Sequence, residues 1–311
     1  MAKRISIINF KGGVGKTTLS FNLAAGLARY HRSRVLLVDV DHQSSLSIVS
    51  MSAPVWSANV AARRTVNEIF RTFVGQGIHM PNGHIIEQQA VKNSPNYNSL
   101  DILPASLELD DIEIDLTASH QGNAIHSEWN KRTLICQWLE MANIDANYDY
   151  IIFDCPPATK IVSQNAIAAS HGYILPVVPE AVMERGAPHL VNMIQHGIDA
   201  RLNALSAMGA PRSMYVPTTQ LVALAITRIR THGPAASGYT NDHTLHLSSL
   251  QRQWGTYLVQ PYIEEGVGVS ECLAGGTPVY DHPYSQNVGG RQLDDMYRNL
   301  TNVLKARIDL L

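Results

Sequence analysis

The chain has 311 residues, 45% of them hydrophobic and 16% charged, with a formal net charge of −2. This is enough apolar material for a large buried core in one unit, and the charge balance excludes a basic field over the whole surface, so any nucleic-acid contact must be a local patch. No apolar run approaches the roughly 18 residues of a membrane span and the amino terminus carries no secretory pattern, so a cytoplasmic protein is expected.

The first expected strand covers residues 4–9 and runs directly into Phe10-Lys11-Gly12-Gly13-Val14-Gly15-Lys16-Thr17-Thr18, followed by a helix expected over 17–30. Strand, glycine loop and helix start in that order form a phosphate cradle. Glycines let successive backbone amides turn inward on phosphate oxygens, and the helix directs its positive end at the same anion. The residues that would hold a nucleoside triphosphate are therefore Lys11, Gly12, Gly13, Val14, Gly15, Lys16, Thr17 and Thr18. The commonest loop pattern, G-x-x-x-x-G-K-[ST], is not met, because its first glycine would fall at Phe10. In its place stands K-G-G-V-G-K-T-T, with a second lysine inside the loop. Lys16 is placed to reach the β- and γ-phosphates and Thr17 to offer its hydroxyl to Mg²⁺, whereas Lys11 either folds back or points across to a second molecule.

Next comes an apolar strand over 35–40 that ends in Asp39-Val40-Asp41-His42-Gln43, and later strands are expected over 100–104, 150–154, 173–178, 222–227 and 257–259. The 150–154 strand, Tyr150-Ile151-Ile152-Phe153-Asp154, closes on a carboxylate where a Mg²⁺ beside phosphates needs one. Further helices are expected over 130–143, 186–205 and 290–305. Two polar stretches, 76–99 and 230–249, read as loop insertions, because they concentrate glycine, proline and asparagine with little periodic apolar content. Strands alternating with helices argue an α/β fold: a single doubly wound, mostly parallel sheet over 1–311 with helices on both faces and the ligand at the strands' carboxyl ends.

The loop resembles the deviant Walker A box of the ParA/MinD family of positioning ATPases, a class of P-loop NTPase, and the resemblance runs along nearly the whole chain. Asp39-Val40-Asp41-His42-Gln43 is similar to the family's D-x-D-P-Q, with His42 in place of proline. Tyr148 to Pro157 is similar to its Y-D-Y-I-I-F-D-x-P-P strand. Leu100 to Ser106, Ile174 to Glu180 with Glu184-Arg185-Gly186, and Glu271 to Tyr280 with Ser285 and Gly290, match later segments. The resemblance implies ATP and Mg²⁺ as cofactors. Asp41 would orient the attacking water, Asp39 would support the Mg²⁺ and loop region, and Asp154 would be the Walker B acid. Lys11 would reach the partner's nucleotide in an ATP-dependent homodimer. It further implies weak intrinsic ATP hydrolysis, binding of nonspecific DNA in the ATP state at the nucleoid, and stimulation by a ParB-like adaptor.

Other readings are weighed on particular residues. A DNA patch is available from Arg185, Arg201, Arg212, Arg228, Arg230, Arg252, Arg291, Arg298, Lys305 and Arg307. A membrane-associated, MinD-like role would need a terminal amphipathic helix. The last helix does carry a stripe through Leu293, Tyr297, Leu300, Leu304 and Ile308, but its polar face mixes Asp294, Asp295, Arg298, Asn299 and Asp309, so core packing explains it better. A metabolic or iron-sulfur enzyme on the same loop lacks support: Cys136, Cys155 and Cys272 are scattered and expected as buried thiols. His243 and His246 are spaced for a metal on a helix but show no companion ligand in sequence.

Overall fold

The computed structural model describes residues 1–75, 77–91, 94–157, 159–210, 214–232, 238–281 and 293–311. Its centre is a seven-stranded sheet: β1 (Lys3–Ile7), β2 (Val35–Asp39), β3 (Leu100–Leu103), β4 (Tyr150–Asp154), β5 (Gly172–Val177), β6 (Gln220–Ile226) and β7 (Leu258–Val259). The order is β3-β2-β4-β1-β5-β6-β7 and every pairing is parallel. Parallel strands need crossovers, and the crossover helices cover both faces, so the strands read as continuous apolar runs rather than as an alternation with polar residues.

The period of two is still visible, because it sorts residues between two cores. Ile5, Ile7, Val35, Leu37 and Ile152 pack on one face with the helices Lys16–His31 and Leu293–Ile308. Leu36, Val38, Ile151, Phe153 and Leu175 pack on the other with the helices Asn67–Val74, Leu134–Met141 and Ile161–Ala169. Register aligns the strand ends at one edge: Asp154 sits opposite Ile7 on one side and Asp39 on the other. The loops after β1, β2 and β4 therefore leave the sheet side by side, which places the motif residues together.

The expected strands are present with ends shifted by one or two residues. The helix expected over 130–143 is two helices, Ala124–Arg132 and Leu134–Met141, broken at Thr133, whose Oγ1 bonds the Trp129 carbonyl at 2.9 Å. The one expected over 186–205 lies within a helical run from Ala181 to Ala207 that passes through a π-helical stretch, Met193–Asp199. The start of the 290–305 helix, with Ser285 and Gly290, falls outside the described residues.

The loop reading of 230–249 needs correction, whereas 76–99 is a loop with two single 3-10 turns, Gly83–Ile85 and Pro95–Tyr97, that buries more than its composition suggests. Within 230–249, residues from Asn241 onward belong to the helix Asn241–Trp254, whose buried His243, Leu247 and Leu250 face the core; residues 233–237 lie outside the described residues. Polar composition concealed this, because a narrow apolar stripe suffices for a helix that buries one side. The 76–99 stretch carries buried Ile85, Ile86, Ala90, Val91 and Tyr97. Its Glu87 exchanges backbone hydrogen bonds with Ile102 at 2.8 and 2.9 Å, so the segment covers the exposed edge of β3. Gln76, Lys92 and Asn93 are not among the described residues.

Cys136, Cys155 and Cys272 are all buried and unpaired. The stripe on Leu293–Ile308 faces the core, with all five residues at most 4% exposed. No helix among the described residues is long and apolar enough to cross a membrane.

Candidate active site

The phosphate loop owes its shape to two glycines in left-handed conformation, Gly13 at φ 72° and Gly15 at φ 80°. A side chain at Gly15 would also meet Thr227 Cβ at 3.3 Å, while a Cβ on Gly12 would meet nothing within 4 Å. Gly15 is thus fixed by backbone and neighbours, and Gly12 leaves open space over the loop. Asn9, at the end of β1, accepts the Lys11 amide at 3.0 Å and donates to the Pro176 carbonyl at 2.7 Å, tying the loop's entry to β5.

Lys16 opens the helix Lys16–His31 and is 7% exposed, its Nζ 3.3 Å from the Lys11 carbonyl. Burial lowers its pKa, against the attraction of Asp154 and Asp41. Asp154 is fully buried. It accepts Thr17 Oγ1 at 2.7 Å and Ser20 Oγ at 2.8 Å, which brings the loop threonine and the strand-end acid into direct contact. Burial pushes its pKa up to about 6 and the Asp41 charge adds to this, against the two hydroxyl donors.

Asp39 is equally buried. One of its oxygens accepts both the Ser47 amide and hydroxyl, at 2.8 and 2.7 Å, and the other accepts the Asp41 amide at 3.1 Å. Burial, then repulsion from Asp154, raises it to about 8. Asp41 is 6% exposed, and its Oδ1 accepts the Gln43 amide at 2.9 Å in the turn before the helix Ser45–Ser50. Asp39 thus fixes the turn from beneath, and Asp41 is carried at its top.

Three carboxylates gathered at one buried edge against a single lysine are poorly balanced in this state. A divalent cation there, held by Thr17 and Asp154, fits the donor set and supplies the missing positive charge. The left-handed glycines and helix start fit a phosphate chain in the same way. A cleft of about 900 Å³ continues from the loop past Thr227 and Arg228 to Gly266, Val269 and Leu273, wide enough for the rest of a nucleotide.

Lys11 turns the other way. Its ammonium pairs with Glu180, in the segment after β5, and both side chains are about one-third exposed (34% and 30%). Sequence reasoning did not find this pairing, nor the clamp around the loop. Thr227 Oγ1 donates to the Val14 carbonyl at 2.5 Å, and Arg228 donates to the Gly13 carbonyl at 2.6 Å while pairing with Glu265. Thr227 and Arg228 follow directly after β6, more than 200 residues from the loop they hold, so no local signal in sequence points to the clamp.

The cationic residues read as a DNA patch are dispersed among separate partners. Arg228 and Arg230 share Glu265, Arg201 pairs with Glu128, Arg298 with Asp295 and Lys305 with Asp309. Arg307 donates to the Val222 carbonyl at 3.1 Å. Arg212 and Arg291 lie outside the described residues. His243 and His246 separate: His243 is buried and its Nδ1 accepts the Arg230 amide at 2.9 Å, whereas His246 turns to Glu184 at 2.8 Å and Asp242 at 3.4 Å.

A family model described as an AAA domain matches residues 2–206, which takes in β1 through β5 and the three acids Asp39, Asp41 and Asp154. The chain belongs to the ParA/MinD family of P-loop ATPases. Among relatives of this ATPase, the sporulation initiation inhibitor protein Soj of Bacillus subtilis is 32% identical over 195 residues, 63% of this chain and 66% of Soj. The structure of apo McdA from Cyanothece matches with a TM-score of 0.65 at 18% identity, over 99% of this chain and 100% of that one. Cobyrinic acid a,c-diamide synthase from Mycobacterium smegmatis, solved with ADP and magnesium, matches with a TM-score of 0.65 at 19% identity, over 99% and 96%. At such identities the two structures establish the fold.

Proposed function

We propose that this ParA/MinD-family ATPase acts over residues 1–311 as one partition or positioning domain. It dimerises around ATP, holds nonspecific DNA in that state at the nucleoid, and releases it when a ParB-like adaptor stimulates hydrolysis. The observation that carries the proposal is the pair of opposed lysines: Lys16 is buried, its ammonium 3.3 Å from the Lys11 carbonyl and within the influence of Asp154 and Asp41, while Lys11 of the same loop is held by a partly exposed ion pair with Glu180. One nucleotide in one chain gives the first lysine a job and leaves the second without one. A second copy facing the cleft supplies it.

Each residue then has a role. Backbone amides of Gly12, Gly13, Val14, Gly15, Lys16, Thr17 and Thr18 cradle the phosphates, and Lys16 neutralises charge on the outer ones. Thr17 and Asp154 hold Mg²⁺, which with ATP supplies the electrophilic phosphorus and much of the charge compensation. Asp41 orients the attacking water, in a turn that Asp39 and Ser47 fix from below. Val269 and Leu273 offer an apolar wall to the base. Lys11 leaves Glu180 for the neighbour's phosphates. An ion pair this exposed is worth only about 0.2–1 kcal/mol, so the exchange is inexpensive. A cation supplied in trans can raise hydrolysis by orders of magnitude, so a monomer would be nearly inert.

The DNA part is tested by co-sedimentation of the chain with a random duplex in ATP, ADP and no nucleotide. Binding in ATP, lost in ADP and falling steeply with salt, is expected. Equal binding in all three, or liposome binding without DNA binding, would overturn it.

A further inference from the structure

His42, in the turn directly after Asp41, meets two acids from the helix Leu109–Ala118, Asp110 and Glu113, which stand one turn apart on that helix. One ligand atom from each of the three lies within 4.8 Å of the other two. Glu113 is the anchor. It is 3% exposed and its Oε1 accepts the Val162 amide at 2.9 Å, but its Oε2 has no hydrogen bond among the described residues. The nearest cation to that oxygen is the Lys160 ammonium at 3.8 Å, beyond hydrogen-bond distance. Burial raises the Glu113 pKa, against the Val162 amide and the charges of Lys160 and His42. The second carboxylate oxygen of this buried residue thus stands beside an imidazole and a second carboxylate, with an ammonium at 3.8 Å as its counter-charge.

We propose that His42, Asp110 and Glu113 form a binding site for a divalent transition metal, separate from the Mg²⁺ of the phosphate site. One imidazole and two carboxylates suit Zn²⁺, Co²⁺ or Mn²⁺, whereas Mg²⁺ takes oxygen ligands and keeps its waters. Metal–ligand bonds of about 2.0–2.2 Å put neighbouring ligand atoms of a tetrahedral site about 3.4 Å apart, so the donors need only draw together slightly. Glu113 stays fixed by Val162. The Asp110 side chain is 51% exposed and the His42 side chain 21%, so the movement falls to them, and water completes the shell.

Lys160 marks the rim of the site, 3.7 Å from Asp110 and 3.8 Å from Glu113, with a side chain 56% exposed. Its ammonium is the cluster's present counter-charge and swings into solvent when a metal enters, so lysine and metal compete. A metal on His42 would also pin the middle of the Asp41–Gln43 turn, whose closing bond runs from the Gln43 amide to Asp41 Oδ1.

The test uses the full-length, metal-stripped chain without nucleotide, in excess Mg²⁺ so that the phosphate site is silent, titrated with Co²⁺ by visible absorption and with Zn²⁺ by calorimetry. One equivalent is expected, with Co²⁺ bands of a nitrogen- and oxygen-ligated ion. His42→Ala and Asp110→Asn should each weaken it about tenfold or more. Lys160→Met should tighten it, the opposite of what general surface destabilisation would do. Absence of a one-equivalent site, or an affinity unchanged by both His42→Ala and Asp110→Asn in folded protein, would overturn the proposal. Because no ATP is present, the outcome is independent of whether the chain hydrolyses it.

Discussion

Asp39 and Asp154 stand opposite each other at the ends of adjacent strands, both fully buried, and their shifted titration has a measurable consequence for stability. An acid whose pKa is raised by folding, as Asp39 is from about 3.8 to about 8, keeps its proton in the folded chain and loses it in the unfolded one. Its contribution is whole below about 3.8 and is lost as pH rises toward about 8. Asp154 acts in the same sense up to about 6. His171, lowered by burial to about 4, opposes both, but only up to its ordinary value of 6.5. Between pH 6.5 and 8 the Asp39 contribution is therefore the one exposed to view. Urea unfolding of the nucleotide-free chain should show stability falling across that interval, and Mg·ATP should flatten the slope. A flat or rising profile without nucleotide would contradict the assignment. Glu180 gives a second prediction at this scale. Glu180→Gln should favour the ATP-bound dimer by no more than about thirtyfold in its dissociation constant, since each of the two protomers releases one pair worth at most about 1 kcal/mol. A weakened dimer would show that Glu180 serves the interface instead.

At the scale of elements, the final helix decides between two readings of one pattern. Leu304 is fully buried in its carboxyl-terminal half, packed with Tyr297, Leu300 and Ile308 against the sheet face carrying Ile5 and Ile7. Leu304→Ala should cost about 2–5 kcal/mol in chemical denaturation. A loss below about 0.5 kcal/mol, the range of surface substitutions, would return the stripe to solvent or membrane. The strands could be read in sequence because burial on both faces makes each a short unbroken apolar run, and the site could be read because its glycines and acids stand at the ends of those runs. What escaped reading depends on distance in the chain. Thr227 and Arg228 hold Val14 and Gly13 across more than 200 residues, and no local pattern in Ile226-Thr227-Arg228 announces it. The helix Asn241–Trp254 was missed for a different reason: three buried residues among polar neighbours leave composition looking like a loop. Glu87 and its neighbours were missed because edge protection is a property of the sheet, which 76–99 does not reveal by itself.

At the scale of the whole molecule, one sheet edge collects the ends of β1, β2 and β4, and the open cleft above it leaves Lys11 on the side away from Asp154. A monomer so built can hold a nucleotide with its own loop and yet leaves a lysine of that loop unused. The measurement that tests this most directly is sedimentation velocity of the wild type and Lys11→Ala with a nonhydrolysable ATP analogue and Mg²⁺, with analogue binding measured alongside. The wild type should sediment as a dimer with the analogue and as a monomer with ADP. Lys11→Ala should bind the analogue yet remain monomeric, and a variant that dimerises as the wild type does would contradict the trans role of Lys11.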